Sequence, residues 1–76
     1  MNDEKKCFDY SKLKGRIIEL YGTQSNFLTN LNMTEVTFIK TMKNIRYFNQ
    51  NEIMDILKLL NLNVEDIGEY FFSRKS

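Results

Sequence analysis

Apolar residues recur along the chain at the three- and four-residue spacing of amphipathic helices. In the first half, this spacing predicts a helix over Lys12–Tyr21, with Ser11 as its N-cap. Gly22 follows at the position after the helix, where a left-handed residue is favoured. Thr23 can then cap a second helix over Gln24–Leu31. The first half therefore predicts two helices in close succession.

The second half contains three further helix starts. Thr34 is a candidate N-cap for a helix over Glu35–Asn44, and Asn49 opens a capping-box pattern before a fourth helix. Asn63 can cap a short last helix. No segment shows the period-two alternation of a strand, so we predict an all-α fold of five helices. The inward-facing apolar positions predict that these residues are buried together: Phe27, Leu31, Phe38, Ile53 and Leu57.

Length and composition fit one small domain. The chain has 76 residues, of which 42% are hydrophobic. We predict a flexible arm over residues 1–8, the domain over residues 9–72 and a tail over residues 73–76. Because so small a domain buries little apolar area, surplus apolar side chains predict a homodimer. The candidate dimer residues are Met54, Leu59, Tyr70, Phe71 and Phe72. For the aromatic tail over residues 70–72, packing within the core is an equally weighted alternative.

The charges are unevenly distributed, although the formal net charge is only +1. Six basic and two acidic residues lie between residues 12 and 48, whereas residues 49–76 contain five acids and three bases. A basic middle is compatible with a polyanionic partner. So small a net charge argues for such a partner only weakly.

The residue types that catalysis and metal binding require are scarce. The chain has no histidine, so Cys7 lacks the usual activating base, and a single cysteine forms no internal disulfide. Glu65, Asp66 and Glu69 are acidic, but such residues also suit the first turn of a helix. We therefore expect no catalytic residue, no metal, no cofactor and no small-molecule substrate. The apolar runs are too short to span a bilayer and no signal peptide is evident, which predicts a cytoplasmic protein without a membrane partner.

The segment Thr23–Lys40 has the pattern of a helix-turn-helix. Two short amphipathic helices, each behind a threonine cap, are joined by a predicted turn of about three residues, with Asn32 as its left-handed residue. In such a motif the second helix enters the major groove of DNA with its N-terminus forward.

With its flanks, this segment resembles the phage Cro and repressor family, in particular small Cro-like regulators of phages of low-GC bacteria. The resemblance extends from about residue 8 to residue 72 and rests on the order and spacing of several features. These are Phe8–Ile18, Gly22–Gln24, the Phe27–Leu31 pair, the Thr34 cap and Tyr70–Phe72. Leu28 and Phe38 are larger than the residues that the family usually has there. The resemblance implies a repressor-type helix-turn-helix domain that binds double-stranded operator DNA as a homodimer in the bacterial host cell.

The resemblance also implies which residues contact DNA. Gln24 matches a glutamine that binds phosphate or supports the recognition helix. The residues matching base-facing or backbone-facing positions of that helix are Glu35, Val36, Thr37, Lys40, Lys43 and Asn44. Arg46 joins this set because it begins a basic-aromatic run, Arg46–Phe48, although aromatics packed over the core are the alternative. For Lys40 and Lys43 the alternative is an ordinary solvated helix face.

The sequence predicts one function and leaves a second open as the alternative. The first is a sequence-specific DNA-binding transcriptional regulator that reads the major groove with residues 35–44. The second is a protein-interaction module, for example an antirepressor or assembly factor, that keeps the fold without binding DNA. The low net charge, the bulky Leu28 and the outward positions predicted for Val36 and Ile39 favour the second function.

Overall fold

Five α-helices and their connections make up the part of the chain that the computed structural model describes, residues 7–74. The helices are α1 (Ser11–Tyr21), α2 (Gln24–Leu28), α3 (Glu35–Met42), α4 (Gln50–Leu59) and α5 (Ile67–Phe71), with a 3-10 turn at Val64–Asp66 before α5. This confirms the prediction of an all-α fold with five helices. No helix within the described range is long and apolar enough to cross a membrane.

The N-caps of α2, α3 and α4 are those that the sequence predicts. The Thr23 and Thr34 hydroxyls each accept a hydrogen bond from the backbone N–H three residues later, at 3.1 and 3.2 Å. Asn49 and Glu52 form a reciprocal capping box with bonds of 2.8 and 2.9 Å. The predicted cap of α1 is wrong by one residue, because Ser11 is already the first residue of that helix.

Two asparagines with left-handed backbones end α3 and α4. Asn44 has a φ of 65° and Asn61 a φ of 55°. After each of them, the N–H of the next residue donates to a carbonyl five residues earlier at 2.9 Å, which completes a Schellman motif. Helix α3 therefore ends at Met42 rather than at Asn44, as the sequence suggested. Asn32, the predicted left-handed residue, does not have a positive φ.

The connection between α2 and α3 is longer than predicted. Helix α2 ends at Leu28, and six residues, 29–34, separate it from α3. The side chains of Thr29 and Asn30 donate to the carbonyl of Asn26, at 2.7 and 3.2 Å. The N–H of Asn30 turns instead to the carbonyl of Phe27. Side chains thus compete with the helical backbone bond at this carbonyl and end α2 early, so the predicted turn of about three residues is wrong.

All five helices contribute to one apolar core. Phe27, Leu31, Phe38 and Leu57 are buried in it as predicted, whereas Ile53 is half-buried at its edge. The full set of buried hydrophobic residues is Tyr10, Leu13, Ile17, Phe27, Leu28, Leu31, Phe38, Ile56, Leu57, Leu60 and Phe71.

Aromatic rings form a connected series through this core. The ring of Phe38 lies between Phe27 and Phe48, with centroids 6.0 and 6.2 Å away. Phe48 in turn contacts Phe71 and Tyr10 edge to face, at 5.5 and 5.6 Å. The loop between α3 and α4, which contains Phe48, is thereby fixed against the two ends of the domain.

The predicted arm and tail lie partly outside the described residues. Their described ends meet, because an isolated antiparallel bridge joins Phe8 to Arg74. Next to it, the N–H of Asp9 donates to the carbonyl of Ser73 at 2.7 Å. The N- and C-terminal ends of the described chain are therefore held side by side.

Candidate interaction surface on the third helix

The structure brings together part of the predicted site on the outward side of α3. Glu35, Val36, Ile39, Lys40 and Lys43 are all exposed, at the three- and four-residue spacing of one helix face. We call these five residues the α3 face. Val36 is 64% exposed and Ile39 37% exposed, so the face includes two large apolar side chains in contact with solvent. The opposite side of the helix is buried in the core.

The α3 face combines apolar side chains with unpaired cations. Among residues 7–74, neither Lys40 nor Lys43 belongs to an ion pair. Glu35 lies in the first turn of α3, where a carboxylate interacts favourably with the helix dipole. The face is therefore suited to a partner that offers apolar contact together with phosphate or carboxylate oxygens.

Asn44, predicted to contact the DNA backbone, is instead engaged inside the domain. It is only 8% exposed. Its Oδ1 accepts a hydrogen bond from the N–H of Phe8 at 2.8 Å, and its Nδ2 donates to the carbonyl of Phe8 at 3.0 Å. Both polar ends of the side chain are used, so Asn44 leaves the set of candidate contacts and becomes the anchor of the N-terminal segment.

Arg46 is likewise committed to contacts within the domain. One guanidinium nitrogen donates to the hydroxyl of Thr41 at 2.7 Å, and the other lies 3.1 and 3.2 Å from the two carboxylate oxygens of Glu52. The Thr41 hydroxyl donates in turn to the carbonyl of Thr37 at 2.8 Å. The charge of Arg46 is paired with Glu52 where α3 meets the start of α4.

Gln24 and Thr37 are not part of the α3 face. Gln24 is the half-buried first residue of α2. Thr37 is half-buried, and its hydroxyl accepts a hydrogen bond from the hydroxyl of Thr34 at 2.9 Å. Their roles in DNA contact stay predictions.

The candidate dimer residues do not form one uniformly exposed set. Met54 is 45% and Phe72 50% exposed, and Leu59 and Tyr70 are half-buried. Phe71 is 1% exposed, so for this residue the core alternative is the correct one. The homodimer stays a prediction.

Sequence reasoning missed the anchoring role of Asn44 and the exposure of Ile45 and Tyr47, which are 66% and 49% exposed. For Asn44 a signal exists, because asparagine just beyond a helix is a common left-handed residue. For Ile45 and Tyr47 the sequence offers no comparable signal, since apolar residues in a loop are usually packed over the core.

The fold defines a small all-α domain whose third helix has an exposed face of apolar and charged side chains. The chain matches the family described as "Protein of unknown function (DUF739)" over residues 6–74, and it belongs to this family. It is also similar to a solved structure, the solution structure of the modulator of repression (MOR) of the temperate bacteriophage TP901-1 from Lactococcus lactis.

The similarity to that structure extends over most of both chains. Sequence identity is 36%, the TM-score is 0.72, and the alignment covers 87% of this chain and 89% of that chain. A comparison with curated proteins gives no match. The similar structure is that of a phage protein, as the sequence resemblance implied, whereas Cro-type DNA binding stays a prediction.

Proposed function

We propose that this chain modulates repression in a temperate phage, and that it acts as a protein-interaction module whose α3 face binds a protein partner. The observation that carries this proposal is the exposure of Val36 and Ile39 alongside Lys40 and Lys43. Protein interfaces combine a central apolar contact, which excludes water, with charged residues at the rim. The α3 face has this composition.

The surroundings of α3 favour a protein partner over DNA. Asn44 and Arg46, two of the predicted DNA contacts, are bound to Phe8 and Glu52. The connection before α3 has six residues, so the spacing differs from that of the motif whose second helix docks in the groove. Because affinity for DNA rises with the number of phosphates neutralised, a face with two lysines has a small electrostatic term.

The similarity to a modulator of repression supports the regulatory part of the proposal. A protein that modulates repression without its own DNA site must contact a protein of the repression machinery. The α3 face offers apolar and charged groups together on one helix for such a contact.

The test uses the purified chain and the repressor encoded by the same phage, with binding measured by calorimetry. Val36→Asp should weaken binding about tenfold or more, because it places a carboxylate in the apolar contact. Val64→Asp is the matched control, since Val64 is the same residue type and is 63% exposed on another part of the domain. Equal affinities for the two variants, or no binding by the wild-type chain, would contradict the proposal.

A second candidate function is binding to double-stranded DNA, favoured by the unpaired Lys40 and Lys43. With two phosphate contacts, the logarithm of the DNA-binding constant should fall with the logarithm of the salt concentration with a slope of about −1.8. Lys43→Ala should reduce that slope by about one unit, whereas Lys58→Ala, an exposed lysine on α4, should not change it. Sequence-specific binding at physiological salt that depends on Lys40 and Lys43 would decide for DNA and against the protein partner.

A further inference from the structure

A second candidate site lies where residues 8–10, the α3–α4 loop and the end of α5 meet. It is a half-open pocket of about 220 Å³. Its most buried lining residues are Phe71 and Tyr10, which are 1% and 6% exposed, and its most exposed ones are Tyr47 and Phe72, at 49% and 50%. The pocket thus has a buried aromatic floor and an exposed aromatic rim.

Several independent contacts hold the walls of this pocket in place. The ring of Phe8 packs edge to face on the rings of Tyr47 and Phe72, with centroids 5.7 and 5.5 Å apart. The backbone of Phe8 is fixed by the two hydrogen bonds to Asn44. A pocket formed in advance loses little conformational entropy when it is filled, which favours binding.

The chemistry of the lining selects a neutral aromatic occupant. Within the described range, residues 7–74, every lining residue apart from Ile53 is aromatic, and none of the lining side chains is charged. Rings of this kind contact another ring favourably by edge-to-face or offset packing. A charged occupant would lose its hydration without gaining an opposite charge.

The hydroxyl of Tyr10 adds a polar requirement. Tyr10 is nearly buried, and its hydroxyl has no hydrogen-bond partner among residues 7–74. Burial, and next the neighbouring Tyr47, raise the pKa of Tyr10, so the hydroxyl is neutral at physiological pH and able to donate or accept. A phenolic oxygen can accept a hydrogen bond, so an occupant with its own polar hydrogen suits this hydroxyl.

The size of the pocket selects a side chain rather than a cofactor. A cavity of about 150 Å³ in another protein holds benzene, whereas sites for drug-sized ligands measure about 300–1,000 Å³. At about 220 Å³, the present pocket fits a two-ring group such as indole.

We propose that this pocket receives a neutral, tryptophan-like aromatic side chain of the protein partner, whose ring N–H donates to the Tyr10 hydroxyl. This inference rests on one part of the proposed function, namely that the partner of the chain is a protein. The pocket would give the partner a second contact besides the α3 face. A buried aromatic side chain of this kind often contributes most of the binding energy at an interface.

The first test uses N-acetyl-tryptophanamide as the probe. The chain contains no tryptophan, so indole fluorescence reports the probe alone. We expect saturable binding with a Kd on the order of 1 mM and a blue-shifted emission, as indole leaves water. N-acetyl-leucinamide and N-acetyl-lysinamide should compete at least about tenfold more weakly. Absence of binding up to about 10 mM, or equal competition by either amide, would overturn the proposal.

Variants locate the probe. Ile53→Phe places a ring in the pocket and should weaken probe binding about tenfold or more, whereas Met54→Phe, at an exposed neighbour outside the pocket, should leave it unchanged. Tyr10→Phe removes only the hydroxyl and should weaken binding about threefold to tenfold. Circular dichroism checks that each variant is folded. Unchanged binding in both Ile53→Phe and Tyr10→Phe would place the probe elsewhere and refute the assignment.

A second copy of this chain is the competing occupant. In that case the affinity for the probe would fall as the protein concentration rises, and sedimentation would show a dimer that Ile53→Phe disrupts. That result would overturn the proposal that the pocket receives a side chain of a different protein. The probe assay needs no partner and no α3 contact, so its failure leaves the Val36→Asp test intact. Conversely, if the chain binds the probe but not the repressor, the proposed function is refuted and the assignment of the pocket is not.

Discussion

Asn44 offers the sharpest test of how the fold holds α3 and the N-terminal segment together. Its side chain makes two hydrogen bonds to the backbone of Phe8, 36 residues away in sequence, and its own backbone is left-handed at φ 65°. Each hydrogen bond contributes about 1 kcal/mol, and an alanine in the left-handed region costs about 1 kcal/mol more. Asn44→Ala should therefore lower the free energy of unfolding by about 3 kcal/mol, a large part of the stability of so small a domain.

Asn61 is the matched control for this prediction. It ends α4 with the same left-handed backbone, φ 55°, but it is exposed. Asn61→Ala should cost about 1 kcal/mol, and Asn61→Gly should be neutral within about 0.5 kcal/mol, because glycine tolerates a positive φ. Asn44→Gly, in contrast, should still cost about 2 kcal/mol, since it relieves the backbone but loses both bonds to Phe8.

Urea unfolding followed by circular dichroism measures all four variants against the wild type, with the free energy taken by linear extrapolation. The difference between the alanine and glycine variants should be about the same, about 1 kcal/mol, at the two positions. If Asn44→Gly is as stable as Asn61→Gly, the hydrogen bonds to Phe8 contribute nothing and the reasoning is refuted.

Two further predictions concern the core and the aromatic pocket. Phe38 is fully buried between Phe27 and Phe48, so Phe38→Ala should cost about 3–5 kcal/mol by urea unfolding, and an unchanged midpoint would show that this ring is not part of the core. The pKa of Tyr10 is raised from 10.0 by burial and then by Tyr47, so folding favours the protonated phenol. This contribution to the free energy of unfolding is fully present below the pKa of an unfolded tyrosine and is lost as the pH rises through the pKa of Tyr10 in the folded protein. Tyr10→Phe should therefore reduce the loss of stability at alkaline pH. NMR titration of the Tyr10 ring should show ionisation at higher pH than in a free tyrosine; ionisation at or below pH 10 would contradict it.

Helix starts could be predicted from the sequence because their causes are local. Thr23, Thr34 and Asn49 each satisfy a backbone N–H three residues away, and the residue type alone indicates this role. The number of helices and most of the core follow from these starts and from the apolar spacing between them.

Helix ends were harder to predict because competing interactions decide them. At the end of α2, the side chains of Thr29 and Asn30 take the carbonyl of Asn26 that a longer helix would need. Several asparagines in this chain are plausible left-handed residues, and the sequence does not rank them. The prediction for Asn32 is wrong, whereas Asn44 and Asn61 have that backbone.

The sequence predicts those residues of the candidate site whose role depends only on their exposed position on the helix. It does not predict those whose role depends on tertiary contacts. The outward position of Val36, Lys40 and Lys43 follows from helical periodicity. The engagement of Asn44 by Phe8 depends on how distant segments meet. Both the anchoring and the aromatic pocket beside it arise only once the N-terminal segment lies across the end of α3.

The polar residues at the end of α3 connect these observations to function. Asn44 ties the end of the helix to the N-terminal segment, and Arg46 ties the loop after it to Thr41 and Glu52. These contacts occupy the polar groups of Asn44 and Arg46 and link the end of the helix that bears Val36 and Ile39 to its neighbours. A fixed, partly apolar face binds with little loss of conformational entropy, as expected for a preformed protein interface. Asn44 and Arg46, which the sequence placed among the candidate DNA contacts, thus act in this structure as contacts between α3 and its neighbours.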